Sequence, residues 1–222
     1  MKIMKPQYEV TFHIPEGYAS IEQFLESVGR TCYKSEDRIT EDSAPKFVEM
    51  LMERRHMAML EHCVASVRFI ADRGFTHELV RHRIASFGQE STRFCNYSKG
   101  KFNSEITVIA LPENTNPSQA LKDHWRDHAA ICEWAYFHAL DLGAKPEIAR
   151  MFLPIGLKTE IVMTANLREW HTVFGLRTSE KAHPIMREIS RKVLQEFAER
   201  VPAMFKKQAE QFEETKIEET VV

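Results

Sequence analysis

Segments with helical and strand-like spacing alternate along this chain, and their order constrains its fold more than any other feature. Residues 8–14 alternate apolar and polar side chains as a half-buried strand does, and residues 21–32 then show helical spacing. Further strands are predicted at 63–71, 106–111 and 159–164, and further helices at 44–55, 76–83, 119–142, 168–176 and 183–200. The order predicts a mixed α/β fold without internal repeats, and the longest helix is interpreted as part of the core.

The composition is that of a globular protein. With 222 residues and 43% hydrophobic content, the chain can bury its core as one large domain or as two small ones. The formal net charge of −2 argues against a general nucleic-acid or membrane surface, because such surfaces carry a basic excess. No window approaches the roughly 18 apolar residues of a membrane-spanning helix. We therefore expect a cytoplasmic protein without nucleic-acid or membrane partners, and a charged, solvated tail over residues 203–222.

Cysteine and histidine spacing argues against a metal site. Cys32, Cys63, Cys95 and Cys132 form no Cys-x-x-Cys pair, which favours reduced, buried thiols over a disulfide framework or a zinc knuckle. Residues 77–82 resemble the zinc motif His-Glu-x-x-His, but their histidines are five residues apart instead of four. On a helix this spacing separates the imidazoles by about 140°, so they cannot share one metal ion. We predict no bound metal.

Fixed positive charge is concentrated in residues 81–93. Their three arginines are suited to bidentate recognition of phosphate or carboxylate, and Ser91 adds a neutral hydrogen-bonding group. Residues 86–89 have the composition of a loop, whose glycine would let the backbone approach a ligand closely. This mixture predicts a nucleotide phosphate site. The alternative is a solvated helix end whose arginines pair with Glu78 and Glu90.

Later segments supply cations that could converge on this stretch. Arg150 directly precedes a loop, whereas Asn166 and Arg168 open a helix that ends near Arg177. Arg168 and Arg177 are nine residues apart, so on one helix they emerge about 180° apart and would serve different ligands or subunits. For each arginine taken singly, the alternative is a surface salt bridge.

At these positions the chain resembles the flavin-dependent thymidylate synthases. The family signature, Arg-His-Arg, seven residues, then Ser-x-Arg, is present as Arg81, His82 and Arg83, followed after residues 84–90 by Ser91, Thr92 and Arg93. Other family-like segments occur in the same order and at similar spacing: residues 30–33, 56, 60–62, 149–150, 153–154, 166–168 and 176–177. The resemblance therefore extends over most of the chain.

The resemblance implies a fold, a reaction and an assembly. The fold is α/β, with a mixed, largely antiparallel sheet flanked by helices, in one domain over residues 1–222 and in a homotetramer with shared active sites. The reaction is the reductive methylation of dUMP to dTMP in thymidylate biosynthesis. Methylenetetrahydrofolate would donate the carbon, and FAD reduced by NADPH would carry the hydride. The alternative function is a non-catalytic nucleotide- or RNA-binding module that uses the same arginines.

The resemblance also implies roles for individual residues. Arg177 would be catalytic, because a guanidinium against the uracil edge stabilises negative charge on the ring and makes C5 more nucleophilic. The residues implied to bind dUMP, with Arg150 supplied by a neighbouring subunit, are Glu78, Leu79, Val80, Arg81, Gln89, Glu90, Ser91, Thr92, Arg93, Arg150 and Arg177. The residues implied to bind FAD are Arg81, His82, Arg83, Gln89, Asn166, Leu167, Arg168, Thr172, His56 and Glu61.

Two of these assignments have alternatives. Ser91 could be a nucleophile by residue type, but no base is predictably adjacent to it, and a positioning role is favoured. His56 and the nearby His62 could instead be structural imidazoles with satisfied hydrogen bonds.

Overall fold

The computed structural model describes the backbone of residues 1–219 and the side chains of residues 1–100 and 102–211. The strands are β1 (Lys2–Met4), β2 (Gln7–His13), β3 (Val64–Asp72), β4 (Ser86–Gln89), β5 (Thr107–Ile109) and β6 (Lys158–Asn166). The α-helices are α1 (Ile21–Tyr33), α2 (Ser43–Glu53), α3 (Arg73–Leu79), α4 (Gln119–Asp141), α5 (Pro146–Ala149), α6 (Leu167–Arg177), α7 (Pro184–Arg200) and α8 (Pro202–Glu219). The mixed α/β prediction is confirmed. Within the described residues, no helix is both long and apolar enough to cross a membrane.

The strands form two sheets. The larger sheet is antiparallel with strand order β2-β3-β6-β4, and a second sheet pairs β1 and β5 in parallel. The two central strands of the larger sheet bury every second side chain, as the period of a strand requires when one face is packed. These buried side chains are Ala65, Val67, Phe69 and Ala71 in β3, and Thr159, Ile161, Met163 and Ala165 in β6.

The structure corrects two sequence predictions around the arginine-rich stretch. Residues 86–89 were predicted as a loop but form strand β4, which lies beside β6 in the sheet. Backbone pairing outweighs the low strand propensity of Gly88, and it continues past the strand, where Glu90 N–H donates to the Glu160 carbonyl at 2.8 Å. The preceding helix was predicted to reach residue 83 but ends at Leu79, so Arg81 lies beyond the helix end.

The chain divides into two compact units that are interleaved in sequence. Unit 1 comprises residues 1–8, 68–81 and 87–162, and unit 2 comprises residues 9–67, 82–86 and 163–222. Two of the boundaries, between Arg81 and His82 and between Ser86 and Phe87, fall inside the arginine-rich stretch. The prediction that residues 1–222 form one domain stays a prediction.

The core of unit 1 forms around one face of α4. Tyr136 and Ala129 of this helix are fully buried and belong to a cluster with Val108 and Leu157. The interpretation of α4 as a core helix is wrong for its other face, where Ile131, Trp134 and Leu142 at its C-terminal end are 63–76% exposed. The helix is therefore buried along one stripe only, as an amphipathic surface helix is.

Aromatic side chains from three helices fill the core of unit 2. The ring of Phe197 in α7 lies 5.0 Å from that of Phe174 in α6 and 5.2 Å from that of Phe205 in α8, each in edge-to-face geometry. The prediction of a solvated tail over 203–222 is thus wrong at its start, because Met204 and Phe205 are buried. Residues 220–222 lie outside the described chain.

Trp170 connects α6 to the sheet in unit 2, and its replacement tests this packing. The indole is fully buried, and its Nε1–H donates to the Ala65 carbonyl at 3.0 Å. Trp170→Phe leaves that carbonyl without its donor and opens a void, so we expect a loss of about 2 kcal/mol in the free energy of unfolding in urea. Trp134→Phe, at a 65% exposed indole, should change it by less than about 0.5 kcal/mol. Equal losses in both variants would contradict the assigned packing.

Candidate functional site

Glu169, His82 and Arg177 form a hydrogen-bonded chain in unit 2. The imidazole of His82 is 6% exposed, its Nδ1 lies 3.3 Å from Glu169 Oε1, and Arg177 Nε–H donates to its Nε2 at 3.0 Å. Arginine nitrogens only donate, so Nε2 must be the acceptor. The proton of the neutral ring then lies on Nδ1 and is donated to the Glu169 carboxylate. The hydrogen bonds thus assign one tautomer to His82.

Electrostatics keep this imidazole neutral. Burial, followed by the positive charge of Arg177, lowers the pKa of His82 from 6.5 to about 4. Burial also raises the pKa of Glu169. At pH 7 the contact between the two residues is therefore a hydrogen bond from the neutral His82 ring to Glu169 and not an ion pair. Of these three hydrogen-bonded residues, Arg177 carries the fixed positive charge.

The start of α6 places Glu169. Asn166 is the N-cap residue, and its Oδ1 accepts from Glu169 N–H at 2.9 Å. Leu167 N–H donates to the Cys63 carbonyl at 2.9 Å, which ties the helix start to the residue before β3. The sequence Asn-x-x-Glu has the pattern of a capping box, which predicts only a local helix cap. The contact of Glu169 with His82 could not be found from that pattern.

The residues implied to bind FAD in unit 2 lie around the start of α6 and the short helix at Met57–His62. Arg168 Nη1 contacts Glu61 Oε1 at 2.5 Å, and both side chains are about half exposed. Thr172 Oγ1 donates to the Arg168 carbonyl at 3.2 Å, so this hydroxyl is engaged by its own helix. His56 is exposed and precedes the short helix, and Arg83 is also exposed.

An apolar cavity of about 280 Å³ in unit 2 has His56 in its wall. His56, Ala58 and Met59 form part of its wall, and the rest is Gly29, Cys32, Tyr33 and Leu51. His56 thus adds one imidazole to an otherwise mostly apolar wall, and Glu61, which is paired with Arg168, belongs to the same short helix as Ala58 and Met59. This combination suits a flat apolar ring system with a polar edge.

A second cavity, in unit 1, has a different character. Its volume is about 510 Å³, and Arg73, Thr92 and Arg150 line it together with the apolar residues Met151, Leu153, Pro154, Ile155 and Leu157. No carboxylate is among these lining residues. Among the described side chains, none hydrogen-bonds the buried Nη1 of Arg73. Two guanidinium groups on one cavity without a counter-charge indicate an anion site. Arg73 was missed by the sequence reasoning, because an arginine opening a short helix has no distinctive pattern.

The rest of the arginine-rich stretch in unit 1 is held by local contacts. Gln89 Nε2–H donates to Thr76 Oγ1 at 3.0 Å, and Ser91 Oγ accepts from Arg93 N–H at 3.3 Å. The alternative for this stretch paired an arginine with Glu90, but the Glu90 carboxylate contacts Lys158 Nζ at 3.1 Å. Lys158 comes from the neighbouring strand β6, which sequence spacing could not bring to this position.

The remaining residues implied to bind dUMP differ in exposure and in their contacts. Arg93 Nε–H donates to Glu147 Oε2 at 3.3 Å on the surface. Glu78 is half-buried, Leu79 is buried, and Val80 and Arg81 are exposed. The Leu79 side chain is 1% exposed and belongs to the core, so only its backbone can meet a ligand.

The neutral His82 predicts a specific pH dependence. Between pH 6.5 and pH 4 the unfolded chain binds a proton at His82 while the folded chain does not, so the free energy of unfolding falls as the pH is lowered. The shift corresponds to about 3 kcal/mol over the whole window. His82→Gln keeps a donor and an acceptor but does not titrate, and should flatten this dependence in urea unfolding at pH 7 and pH 5. His62→Gln, at an exposed imidazole, is the control and should retain the wild-type dependence; equal slopes in wild type and His82→Gln would refute the assignment.

Comparison with known proteins identifies the family. A family model described as thymidylate synthase complementing protein matches residues 17–203. The flavin-dependent thymidylate synthase of Pyrococcus furiosus is 35% identical over 173 residues, which cover 78% of this chain and 70% of the relative. The enzyme of the same name from Corynebacterium diphtheriae is 30% identical over 214 residues, covering 88% of this chain and 82% of the relative.

A solved structure has the same fold. The crystal structure of a UMP/dUMP methylase from Streptomyces cacaoi, bound with 5-Br dUMP, superposes with a TM-score of 0.73 at 21% identity and covers 93% of this chain and 96% of its own. The family match spans the arginine-rich stretch, the anion cavity and the hydrogen-bonded chain described above. The chain therefore belongs to the thymidylate synthase complementing protein family, the flavin-dependent thymidylate synthases.

Proposed function

We propose that this protein converts dUMP to dTMP by reductive methylation, with methylenetetrahydrofolate as carbon donor and FAD reduced by NADPH as hydride carrier. Family membership supports the reaction class, and the similar methylase structure holds a dUMP analogue. The observation that carries the proposal is the Arg177 guanidinium, held at Nε by a buried neutral imidazole in the family signature.

Arg177 would act on the uracil ring. A fixed guanidinium against the N3 and carbonyl edge stabilises negative charge as it develops on the ring, which increases electron density at C5. This route needs no enzyme thiolate. Burial raises the pKa of Cys63 to about 12 and also raises that of Cys132, so neither thiol is disposed to ionise.

The anion cavity of unit 1 would hold the phosphate of dUMP. Arg150 and Thr92 both line it, and both belong to the residues implied to bind the substrate. Glu78, Arg81, Gln89, Ser91 and Arg93 would complete the nucleotide contacts. The resemblance implied an Arg150 from a neighbouring subunit, but Arg150 and Thr92 line this cavity within one chain, so the phosphate contact proposed here needs no second subunit. A homotetramer with shared sites remains a separate part of this proposal.

Most of the residues implied to bind FAD belong to unit 2, whereas Arg81 and Gln89 belong to unit 1. The apolar cavity beside His56 fits the ring system, and Glu61, Asn166 and Arg168 would contact its polar groups. FAD, once bound and reduced, would supply the hydride that completes the methyl group. Both ring nitrogens of His82 already have protein partners, so His82 would contribute backbone contacts to this site.

Turnover of the purified protein tests the proposal. We expect flavin absorbance after addition of FAD, dUMP-stimulated NADPH oxidation, and dTMP formation that requires methylenetetrahydrofolate. Arg177→Ala should reduce dTMP formation by about 100-fold or more while flavin binding is retained. Arg126→Ala, at an exposed arginine of α4, is the control. The proposal is wrong if saturating FAD neither binds nor supports dUMP-dependent turnover.

Substitution of Arg150 tests the phosphate site separately. Loss of one charge-assisted hydrogen bond to the phosphate should weaken dUMP binding by about tenfold to 100-fold in Arg150→Ala. Affinity for deoxyuridine, which lacks the phosphate, should change little, and both can be measured by calorimetry. An equal loss of affinity for both compounds would argue against phosphate contact.

A further inference from the structure

We propose that Glu169 is a positioning residue for Arg177: its carboxylate holds the His82 proton on Nδ1, so that Nε2 remains the acceptor for Arg177 Nε–H. This inference rests on the proposed function, in which Arg177 acts on the uracil. Glu169 is not among the residues to which the family resemblance assigns a role. The resemblance also does not imply a link from Glu169 through His82 to Arg177, which we call the relay.

The geometry leaves one productive tautomer. If the His82 proton moved to Nε2, two N–H donors would face each other across the 3.0 Å between Nε2 and Arg177 Nε, and the hydrogen bond would be lost. A carboxylate that accepts from Nδ1–H favours the tautomer with its proton on Nδ1. In other proteins too, the hydrogen bond made by one ring nitrogen of a histidine determines whether the second nitrogen can accept. Glu169 Oε1, at 3.3 Å from Nδ1, is placed for this selection.

The hydrogen bonds from Glu169 through His82 to Arg177 connect the two ends of α6. Glu169 lies in the first turn and Arg177 in the last, eight residues later, which corresponds to about 12 Å along the helix axis. Their positions differ by about 80° around the axis, so both side chains can reach one imidazole beside the helix. Because the rigid helix fixes both attachment points, the imidazole restricts how the Arg177 side chain can move.

Helix capping does not explain the Glu169 carboxylate. In a capping box the Glu169 carboxylate would accept from Asn166 N–H, but its hydrogen bond in the structure is with His82 Nδ1 instead. Glu169 is only 9% exposed, and burial of an acid opposes its ionisation. Burying this acid lowers the free energy of unfolding. We account for its position by the tautomer of His82 that it stabilises.

Two substitutions separate positioning from simple stability. Glu169→Ala removes the acceptor, whereas Glu169→Gln keeps an oxygen that can accept from Nδ1–H without charge. With FAD and all substrates present, we expect Glu169→Ala to lower kcat for dTMP formation about tenfold, with a smaller change in KM for dUMP. Glu169→Gln should recover most of this loss. Glu196→Ala, in a partly exposed pair with Arg200 on α7, is the matched control.

A spectroscopic measurement identifies the tautomer independently of turnover. In protein labelled with ¹⁵N-histidine, we expect a protonated Nδ1 and an unprotonated Nε2 for His82 in wild type and in Glu169→Gln, and protonated Nε2 in Glu169→Ala. Unchanged kcat in Glu169→Ala, or a reduced kcat with an unchanged His82 tautomer, would overturn the proposal. If the wild-type protein made no dTMP but showed these tautomers, the proposed function would fail while the relay itself remained.

Discussion

The hydrogen bond from Arg177 Nε–H to His82 Nε2 is the constraint on which the candidate chemistry of unit 2 depends. It joins a buried imidazole to a half-buried guanidinium, and the two groups would repel each other if the ring were protonated. Burial therefore has two effects: it strengthens the hydrogen bond and it keeps the ring neutral. The guanidinium retains its full charge and is held at its Nε atom, which is the condition for stabilising charge on a ligand without reorganisation.

The arginine-rich stretch contains residues with different physical roles. His82 is enclosed in unit 2, whereas Arg81 and Arg83 on either side of it are exposed. In unit 1, Arg93 is paired with Glu147 at the surface, while Arg73 and Arg150 line a cavity without an acidic residue among its lining side chains. Basic residues close together in the sequence thus differ in burial, partner and unit. The density of positive charge in the sequence indicates an anionic ligand. The burial and partners of each side chain, which the sequence does not show, determine which of these residues is held by protein contacts and which can bind a ligand.

The sequence was sufficient for the periodic elements and for the family. The alternating side chains of β3 and β6 and the long helical pattern of α4 predicted their elements, because periodicity directly reflects burial on one face. Strand β4 was missed, since its stability comes from pairing with β6 and not from its own residues. Phe205 was assigned to a solvated tail, because contacts with α6 and α7 cannot be seen in a locally charged sequence. The Glu169 contact was missed for the same reason: its partner is 87 residues away.

A crystal structure with FAD and dUMP bound would test the central claim, that a guanidinium held by neutral His82 meets the uracil. We expect Arg177 nitrogens at about 3 Å from the N3 or carbonyl atoms of the ring, with Arg177 Nε still hydrogen-bonded to His82 Nε2. A bound uracil without Arg177 contact, or a His82 ring turned away from Arg177 toward the flavin, would contradict the account.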